Sequence, residues 1–466
     1  MLISAGRQAL DDFSPIWFVT VMGTGISSNI LHSFPYSARW LKICSYIMFC
    51  LASLLFLSLL GILASVVIRR TRHDGLRSFA RLYFFDETIS VTWGTLVMGY
   101  ITINNYIFQL VENELKDQKS VTHGLVIFVY VQWWITVMLS LGSAWGITFC
   151  IWLKNSRYWD CTDPMPHHRN MQHRLQSTLL LPIVTLVVVA SSSGIFTMSK
   201  QFVEHTSRNV QLLTLGVTAL IWFNALLLVV LVASTYIWNL YVNKIPPIGM
   251  IFSMFLVVGP MGQGSYGILL FTNNIKQYIE LYYPLSVADG EAYLVSMVVK
   301  WSFKVCGIVL ALLLIANGIF FTFVAFAAIV SYGYTLRNSH TGPKISTFHK
   351  GWWAMTFPLG TMALGTKELY EQYDPYVPIS AFRVVSTIYS ILCVASTLVC
   401  LVGSIWSYRN TLLASILSSR KSSPQLSSAR TSDFNQKSLQ DAEMGIVSPV
   451  KSTIHPQMVD HTSQQS

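Results

Sequence analysis

Charged residues are scarce in this chain of 466 residues: Asp, Glu, Lys and Arg make up 11% of it, and hydrophobic residues make up 53%. Soluble domains normally carry about 25% charged residues. So few charges cannot cover a water-exposed surface, which excludes a soluble globular protein. The apolar residues form ten runs of about 20 residues or more, the length that spans a bilayer. They cover residues 13–34, 40–68, 84–110, 121–153, 177–199, 208–241, 247–274, 295–334, 350–370 and 378–409.

The sequence also lacks the features of several other classes of protein. The stretch "MLISAGRQALDDF" does not have the ordered regions of a cleavable signal peptide. Six of the seven cysteines fall inside the apolar runs, so no disulfide framework is predicted. No nucleophile elbow, paired His and Glu, or metal motif is present, which disfavours a membrane-embedded enzyme. We therefore expect no catalytic residue, no metal and no cofactor.

Basic residues are distributed unevenly between the loops. One alternating set of loops holds twelve Lys and Arg residues, and the other set holds six. The richer set comprises residues 69–83, 154–176, 242–246 and 335–349. Basic loops remain in the cytoplasm, so ten spans place both termini there. The net charge of +10 reflects this bias and indicates no nucleic-acid partner.

Three regions follow from these patterns. Residues 1–12 are predicted to form a short cytoplasmic N-terminus, and residues 13–409 a transmembrane transporter domain. The stretch after Arg409 contains thirteen serines and a single aromatic residue, Phe434. Such a composition cannot bury enough apolar surface to fold, so residues 410–466 are predicted to be a disordered, Ser-rich cytoplasmic tail.

Glycine and proline separate the odd-numbered runs from the even-numbered ones. The odd runs hold thirteen glycines in 121 residues, whereas the even runs hold nine in 168. Interior prolines occur only in odd runs, at Pro182, Pro260 and Pro358. Lipid offers no hydrogen bonds, so an interrupted helix is tolerated only beside protein or a water-filled cavity. The pattern predicts an all-α membrane protein whose ten helices form five hairpins around a pore lined by the odd ones.

Small polar side chains and helix interruptions dominate the predicted pore, and carboxylates are rare in it. Hydroxyl and amide donors without carboxylates favour a small anion. Lys300, Lys304 and Arg383 fall toward the predicted outer side, where they either attract an anion or extend to the interface. Small residues also serve helix packing, which is the alternative explanation. The candidate lining residues are Gly23, Gly25, Ser27, Gly94, Thr95, Ser191, Ser192, Ser193, Gly259, Pro260, Gly262, Gln263, Gly264, Pro358, Gly360 and Thr361.

Three long motifs resemble a known family. They are "FSPIWFVTVMGTGISSNILHSFPYSARWLKICSYIMF" (13–49), "NKIPPIGMIFSMFLVVGPMGQGSYGILL" (243–270) and "TFHKGWWAMTFPLGTMALGTKELYEQYDPYVPISAFR" (347–383). They are similar to the fungal sulfite efflux pumps, a branch of the tellurite-resistance/dicarboxylate transporter family, which also includes plant guard-cell anion channels and yeast malate permease. The resemblance covers roughly residues 10–410.

This resemblance implies a plasma-membrane exporter of sulfite that gives sulfite resistance. It also implies that Phe357, just before a proline in the ninth run, closes the pore, and that subunits form trimers. The alternatives within the same fold are a dicarboxylate (malate) transporter and a chloride or nitrate channel. A receptor or scaffold would leave the interrupted odd helices unexplained. The expected partners are therefore a small inorganic anion and the lipid bilayer.

Overall fold

The computed structural model describes residues 13–115, 119–158, 176–286, 289–337 and 348–421, and all regular secondary structure in these ranges is helical. Two short helices, Glu87–Ser90 and Lys200–His205, connect longer ones. The fourth long helix continues through a π-helical turn, Gly142–Ile147, into Thr148–Tyr158. The long helices are α1 (Val19–His32), α2 (Arg39–Phe84), α3 (Trp93–Asn113), α4 (Lys119–Leu141), α5 (Leu180–Phe196), α6 (Arg208–Asn243), α7 (Val258–Tyr282), α8 (Glu291–Arg337), α9 (Thr356–Tyr373) and α10 (Ala381–Lys421).

Seven of these helices are long and apolar enough to cross a membrane, which makes the chain a multi-pass α-helical membrane protein. They are α2, α4, α5, α6, α7, α8 and α10. The other three are shorter or more polar. Helix α1 has 14 residues, α3 contains Asn104, Asn105 and Gln109, and α9 ends in a charged turn.

Burial differs sharply between neighbouring helices. The most apolar stretches of α5 and α7 are each 89% buried inside the protein, whereas that of α2 is 11% buried. All 14 residues of α1 are buried. The even-numbered helices instead expose large apolar side chains, such as Leu57, Leu220 and Phe323. Exposed apolar surface on this scale is expected of helices that face lipid.

The five odd-numbered helices contact one another in a closed order. Helix α1 packs against α3, α3 against α5, α5 against α7, α7 against α9, and α9 returns to α1. Each of α2, α4, α6 and α8 packs against the odd helix that precedes it in the chain. Helix α10 contacts the ring through hydrogen bonds, including the one from Ser386 Oγ to the Ala363 carbonyl at 2.8 Å. The ring formed by α1, α3, α5, α7 and α9 therefore surrounds a central axis.

The interior prolines do not interrupt these helices in the middle. Pro182, Pro260 and Pro358 each occupy the third position of an α-helix that follows a 3₁₀ segment. A proline in the first turn costs little, because its missing N–H would have no intrahelical partner there. The prediction of mid-helix breaks was therefore wrong, and these prolines mark the change from 3₁₀ to α geometry.

Several glycines allow the ring helices to approach closely. A Cβ atom on Gly262 of α7 would lie 2.5 Å from the backbone nitrogen of Met362 in α9. Backbone atoms cannot move aside as a flexible side chain can. Close packing of α7 on α9 therefore depends on the absence of a side chain at this position.

Replacing Gly262 by alanine should lower the stability of the protein by about 1–3 kcal/mol, the usual cost of overpacking. Gly216→Ala on α6 is the matched control, because a Cβ atom there meets nothing within 4 Å. Thermal unfolding of both variants in detergent measures the effect. Equal melting temperatures for the two variants would show that the α7–α9 contact does not constrain position 262.

The C-terminal boundary differs from the predicted one. The chain divides into two compact units after Ser407, close to the expected end of the transmembrane domain at Arg409. Helix α10 continues to Lys421, so residues 410–421 are helical. The predicted N-terminal segment 1–12 and the remainder of the predicted tail, residues 422–466, lie outside the described residues.

Candidate functional site

Two small cavities lie along the axis of the helix ring. One, of about 10 Å³, is lined mainly by apolar side chains. The other, of about 20 Å³, is lined by polar and apolar side chains together. A cavity needs roughly 10–15 Å³ to hold one water molecule. The axis is therefore nearly closed, with space for about one water molecule in the second cavity.

The apolar cavity lies at the beginning of the ring helices. Its lining includes Leu181, Gly259 and Pro358, which stand at the changes from 3₁₀ to α geometry in α5, α7 and α9. Met22 of α1 and Met98 of α3 complete this side. The apolar cavity thus lies at the depth where these helices change from 3₁₀ to α geometry.

The polar cavity lies further along the same helices. Each ring helix contributes later residues to it than to the apolar cavity, so the ring helices run in one direction. The lining combines amide, hydroxyl and phenol groups with aliphatic side chains, and none of its residues is charged. Its polar members are Asn29, Thr102, Asn105, Gln109, Gln263 and Tyr266.

Phe357 lines both cavities. Its side chain is 3% exposed, and it stands one residue before Pro358 in the first turn of α9. It is therefore the side chain at the boundary between the apolar and the polar part of the axis. Its aromatic side chain is the one that the two linings share.

Three of the residues predicted to line a path reach the cavities: Gly259, Gln263 and Pro358. The predicted gate, Phe357, reaches both. Most of the predicted hydroxyl groups bond elsewhere. Ser27 Oγ lies 2.9 Å from Thr397 Oγ1 on α10, and Ser193 Oγ lies 2.6 Å from Thr218 Oγ1 on α6. A buried hydroxyl must find a partner. Ser27 finds it on α10, and Ser193 finds it both on α6 and at the Ala190 carbonyl of its own helix, 2.7 Å away.

The other predicted hydroxyls bond within or between ring elements. Thr95 Oγ1 donates to the Pro15 carbonyl at 2.9 Å, and Thr361 Oγ1 donates to the Pro358 carbonyl at 2.7 Å. Ser191 Oγ accepts from Gln263, and Ser192 Oγ donates to Asn105. Ser191 and Ser192 thus contact residues of the polar cavity and stand behind its lining.

The predicted glycines mostly mark contacts between helices. A Cβ atom added to a predicted glycine would lie close to a neighbouring side chain or backbone. The pairs are Gly23 with Trp353 and Thr356, Gly25 with Thr102, Gly94 with the Leu181 backbone, Gly264 with Leu314, and Gly360 with Ile26 and Cys393. Gly262 packs on α9 as described above, and Pro260 is buried at the start of α7 without lining either cavity. Packing, the alternative explanation of the glycine pattern, accounts for these contacts.

Sequence reasoning missed most of the polar lining. Asn29, Thr102, Asn105, Gln109 and Tyr266 line the polar cavity but were not among the predicted residues. A signal was available in α3, where Thr102, Asn105 and Gln109 recur every three or four residues within an apolar run. This spacing places them on one face of a helix.

The three predicted outer cations are all held by protein groups. Lys304 is 2% exposed, and its Nζ donates to Asn273 Oδ1 at 3.1 Å and to Gln372 Oε1 at 2.6 Å. Lys300 Nζ pairs with Glu280 at 3.0 Å. Arg383 donates to the Pro35 carbonyl at 2.9 Å. Lys304 is therefore buried, with amide partners for its ammonium group, and does not extend to the interface.

Comparison with known proteins finds relatives that cover most of the chain. The sulfite efflux pump SSU1 of Saccharomyces cerevisiae is 43% identical over 409 residues, which cover 86% of this chain and 88% of that protein. The sulfite efflux pump SSU1 of Candida albicans is 31% identical over 403 residues, covering 85% and 74%. The pump of the same name from Arthroderma otae is 26% identical, covering 83% and 88%. Residues 12–405 match the family described as voltage-dependent anion channel, SLAC1. The chain belongs to this family.

Proposed function

We propose that the protein exports sulfite from the cell across the plasma membrane, through the axis of the helix ring. The observation that carries this proposal is 43% identity to a sulfite efflux pump along nearly the whole transmembrane region. An axis lined by amides and hydroxyls, without charged side chains, supports an anion as substrate. Export of this reactive anion is a detoxification step and confers resistance to sulfite.

The membrane arrangement that we propose has ten spans in five hairpins, with both termini in the cytoplasm. The excess of Lys and Arg in alternate loops supports this orientation. The N-terminal ends of the five ring helices then lie at the cytoplasmic side. The apolar cavity faces the cytoplasm, and the polar cavity faces the outside.

Phe357 acts as the gate in this proposal. A bulky apolar side chain at the narrowest level keeps the path free of water, and a dewetted constriction blocks ions. Contact of one ring with both cavities supports this role. Movement of the Phe357 side chain would join the two cavities without separating the helices.

Charges near the outer end of the path have a supporting role. Among the described residues, Lys304 has no carboxylate oxygen within 4 Å, so its charge is not neutralised by a direct ion pair. We place Lys304 as an attractor of anions, with weaker contributions from Arg383 and from Lys300, which is paired with Glu280. Assembly into trimers, with one path in each subunit, completes the proposal.

Flux measurements on the purified protein in liposomes test this function. Sulfite should cross faster than malate, chloride or nitrate at equal concentration, and liposomes without protein supply the background. Faster passage of malate would assign the protein as a dicarboxylate transporter. Faster passage of chloride or nitrate would make it a general anion channel.

A further inference from the structure

Asn29 has an oxygen without a partner. The side chain is 4% exposed, and its Nδ2 donates to the carbonyl oxygens of Gly25 at 2.7 Å and Thr102 at 2.9 Å. Carbonyl oxygens only accept, so these two bonds fix which end of the amide is nitrogen. The other end, Oδ1, is buried and has no hydrogen-bond partner among the described residues.

Gln263 is arranged in the same way. It is 3% exposed, and its Nε2 donates to Ser191 Oγ. The Ser191 hydroxyl proton is used by the Val188 carbonyl at 2.9 Å, so Ser191 must accept from Gln263, and the amide cannot be reversed. Its Oε1 is likewise buried, with no partner among the described residues.

Both residues line the polar cavity, as does Gln109, whose Oε1 is also buried and has no partner among the described residues. Three unpartnered acceptors therefore belong to one lining, and the orientation of two of them is fixed by their other hydrogen bonds. A buried acceptor without a donor costs about 1–3 kcal/mol, a cost that a ligand bearing a donor would remove. Chloride, nitrate and the sulfite dianion carry no proton to donate. Hydrogen sulfite in its hydroxyl form, HO–SO₂⁻, carries one, and its remaining oxygens can accept from neighbouring donors such as the Asn105 amide, the Gln109 amide or the Tyr266 hydroxyl.

We propose that the polar cavity is a binding site for hydrogen sulfite, in which Asn29 Oδ1 and Gln263 Oε1 share the hydrogen bond donated by the hydroxyl group that sulfite lacks. This inference rests on the proposed export of sulfite and specifies the protonation state that is carried. In the closed structure the site holds at most about one water molecule. The anion therefore displaces that water when Phe357 moves aside.

The charged groups around the site lie in balanced pairs. Tyr266 is the titratable side chain in the lining, and the carboxyl groups that act on it electrostatically are Glu368 and Glu371 of α9. Gln372 Nε2 donates to Glu368 at 2.6 Å and connects it to Lys304. Lys367 pairs with Glu371 at 2.8 Å. The two carboxyl groups at this end of α9 are thus balanced by Lys367 and Lys304, and the choice between monoanion and dianion rests on the unpartnered acceptors.

The wild-type protein in liposomes provides the first test. Flux is measured at two pH values, with total sulfite adjusted so that either the hydrogen sulfite or the sulfite concentration is matched. We expect equal rates when hydrogen sulfite is matched, and rates that differ several-fold when sulfite is matched. Rates that follow the dianion would overturn this inference and leave sulfite export standing. Absence of any sulfite flux would overturn both.

Substitution of the acceptors separates titration of the ligand from titration of the protein. Gln263→Met removes Oε1 with little change in shape and should raise the KM for hydrogen sulfite about tenfold, which corresponds to a loss of about 1.4 kcal/mol. Inhibition of flux by nitrate, which has no proton to donate, should not weaken. Asn29→Leu is the second variant and should act in the same direction.

Asn104→Leu on α3 is the matched control. Asn104 is also buried, and its oxygen also has no partner among the described residues, but it does not line the cavity. Its substitution should leave both the KM and the nitrate inhibition unchanged. A tenfold rise in KM for Asn104→Leu, or none for Gln263→Met and Asn29→Leu, would overturn the role of the two acceptors.

Discussion

Sulfite flux through reconstituted protein should rise about tenfold or more when Phe357 is replaced by alanine, because an apolar constriction that excludes water is the barrier to ions. The side chain of Phe357 lines both the apolar and the polar cavity, so we expect its removal to join them along the axis. Stability should fall at the same time, by about 3–5 kcal/mol, as for other buried phenylalanines. Flux per folded protein is therefore the quantity to measure.

Phe108→Ala is the matched control for this experiment. Phe108 is also buried in a ring helix, at 2% exposure, but packs against Phe196 with 5.9 Å between ring centroids and lines neither cavity. Its substitution should cost similar stability and give no gain in flux. If Phe357→Ala and Phe108→Ala behave alike, Phe357 serves packing and does not gate the path.

The boundary between the apolar and the polar cavity should appear as a sharp change in the reactivity of introduced cysteines along α3. A cysteine at Gln109, in the polar cavity, should react with a small impermeant thiol reagent added from outside. A cysteine at Met98, in the apolar cavity, should react at least about tenfold more slowly, because a dewetted constriction excludes charged reagents. Adding Phe357→Ala to the second variant should restore rapid labelling.

Native cysteines set the background of this measurement. Cys393 and Cys400 are buried, and Cys50 and Cys306 are exposed on even-numbered helices, so the parent protein measures their contribution. Equal labelling at positions 98 and 109 without the alanine substitution would show that Phe357 does not divide the path. Labelling at neither position would mean that the polar cavity does not open to the outside.

The helical architecture could largely be predicted from the sequence, since length and apolarity determine which segments lipid accepts. Each predicted run overlaps one of the long helices, and seven of these helices are long and apolar enough to cross a membrane. The contrast between odd and even runs reappears as a contrast in burial between α5 or α7 and α2, whereas ten spans in five hairpins stay a prediction. Proline geometry could not be predicted. Pro260 lies at the middle of the apolar run 247–274, and composition does not reveal that the first turns of that run are 3₁₀.

The candidate site could be predicted only in part. Phe357 was pointed to by the family resemblance and lines both cavities, whereas Asn29 and Tyr266 were missed. Which face of a helix meets the axis depends on its rotation, and rotation is set by packing contacts such as that of Gly25 on Thr102. In the sequence, a hydroxyl residue such as Ser27 looks suitable for lining a path. In the structure its hydroxyl group hydrogen-bonds to Thr397 on α10.

The 3₁₀ segments also affect how far the ring helices reach. A 3₁₀ helix rises about 2.0 Å per residue and an α-helix about 1.5 Å, so the same thickness is crossed with a quarter fewer residues. The six residues of Lys350–Met355 and the eighteen of α9 extend about 39 Å along their axes, more than the hydrocarbon thickness of about 30 Å. The backbone geometry of the 3₁₀ segment thus gives the ring helix enough length to cross the hydrocarbon layer, and the side chains inside the ring can be small or polar.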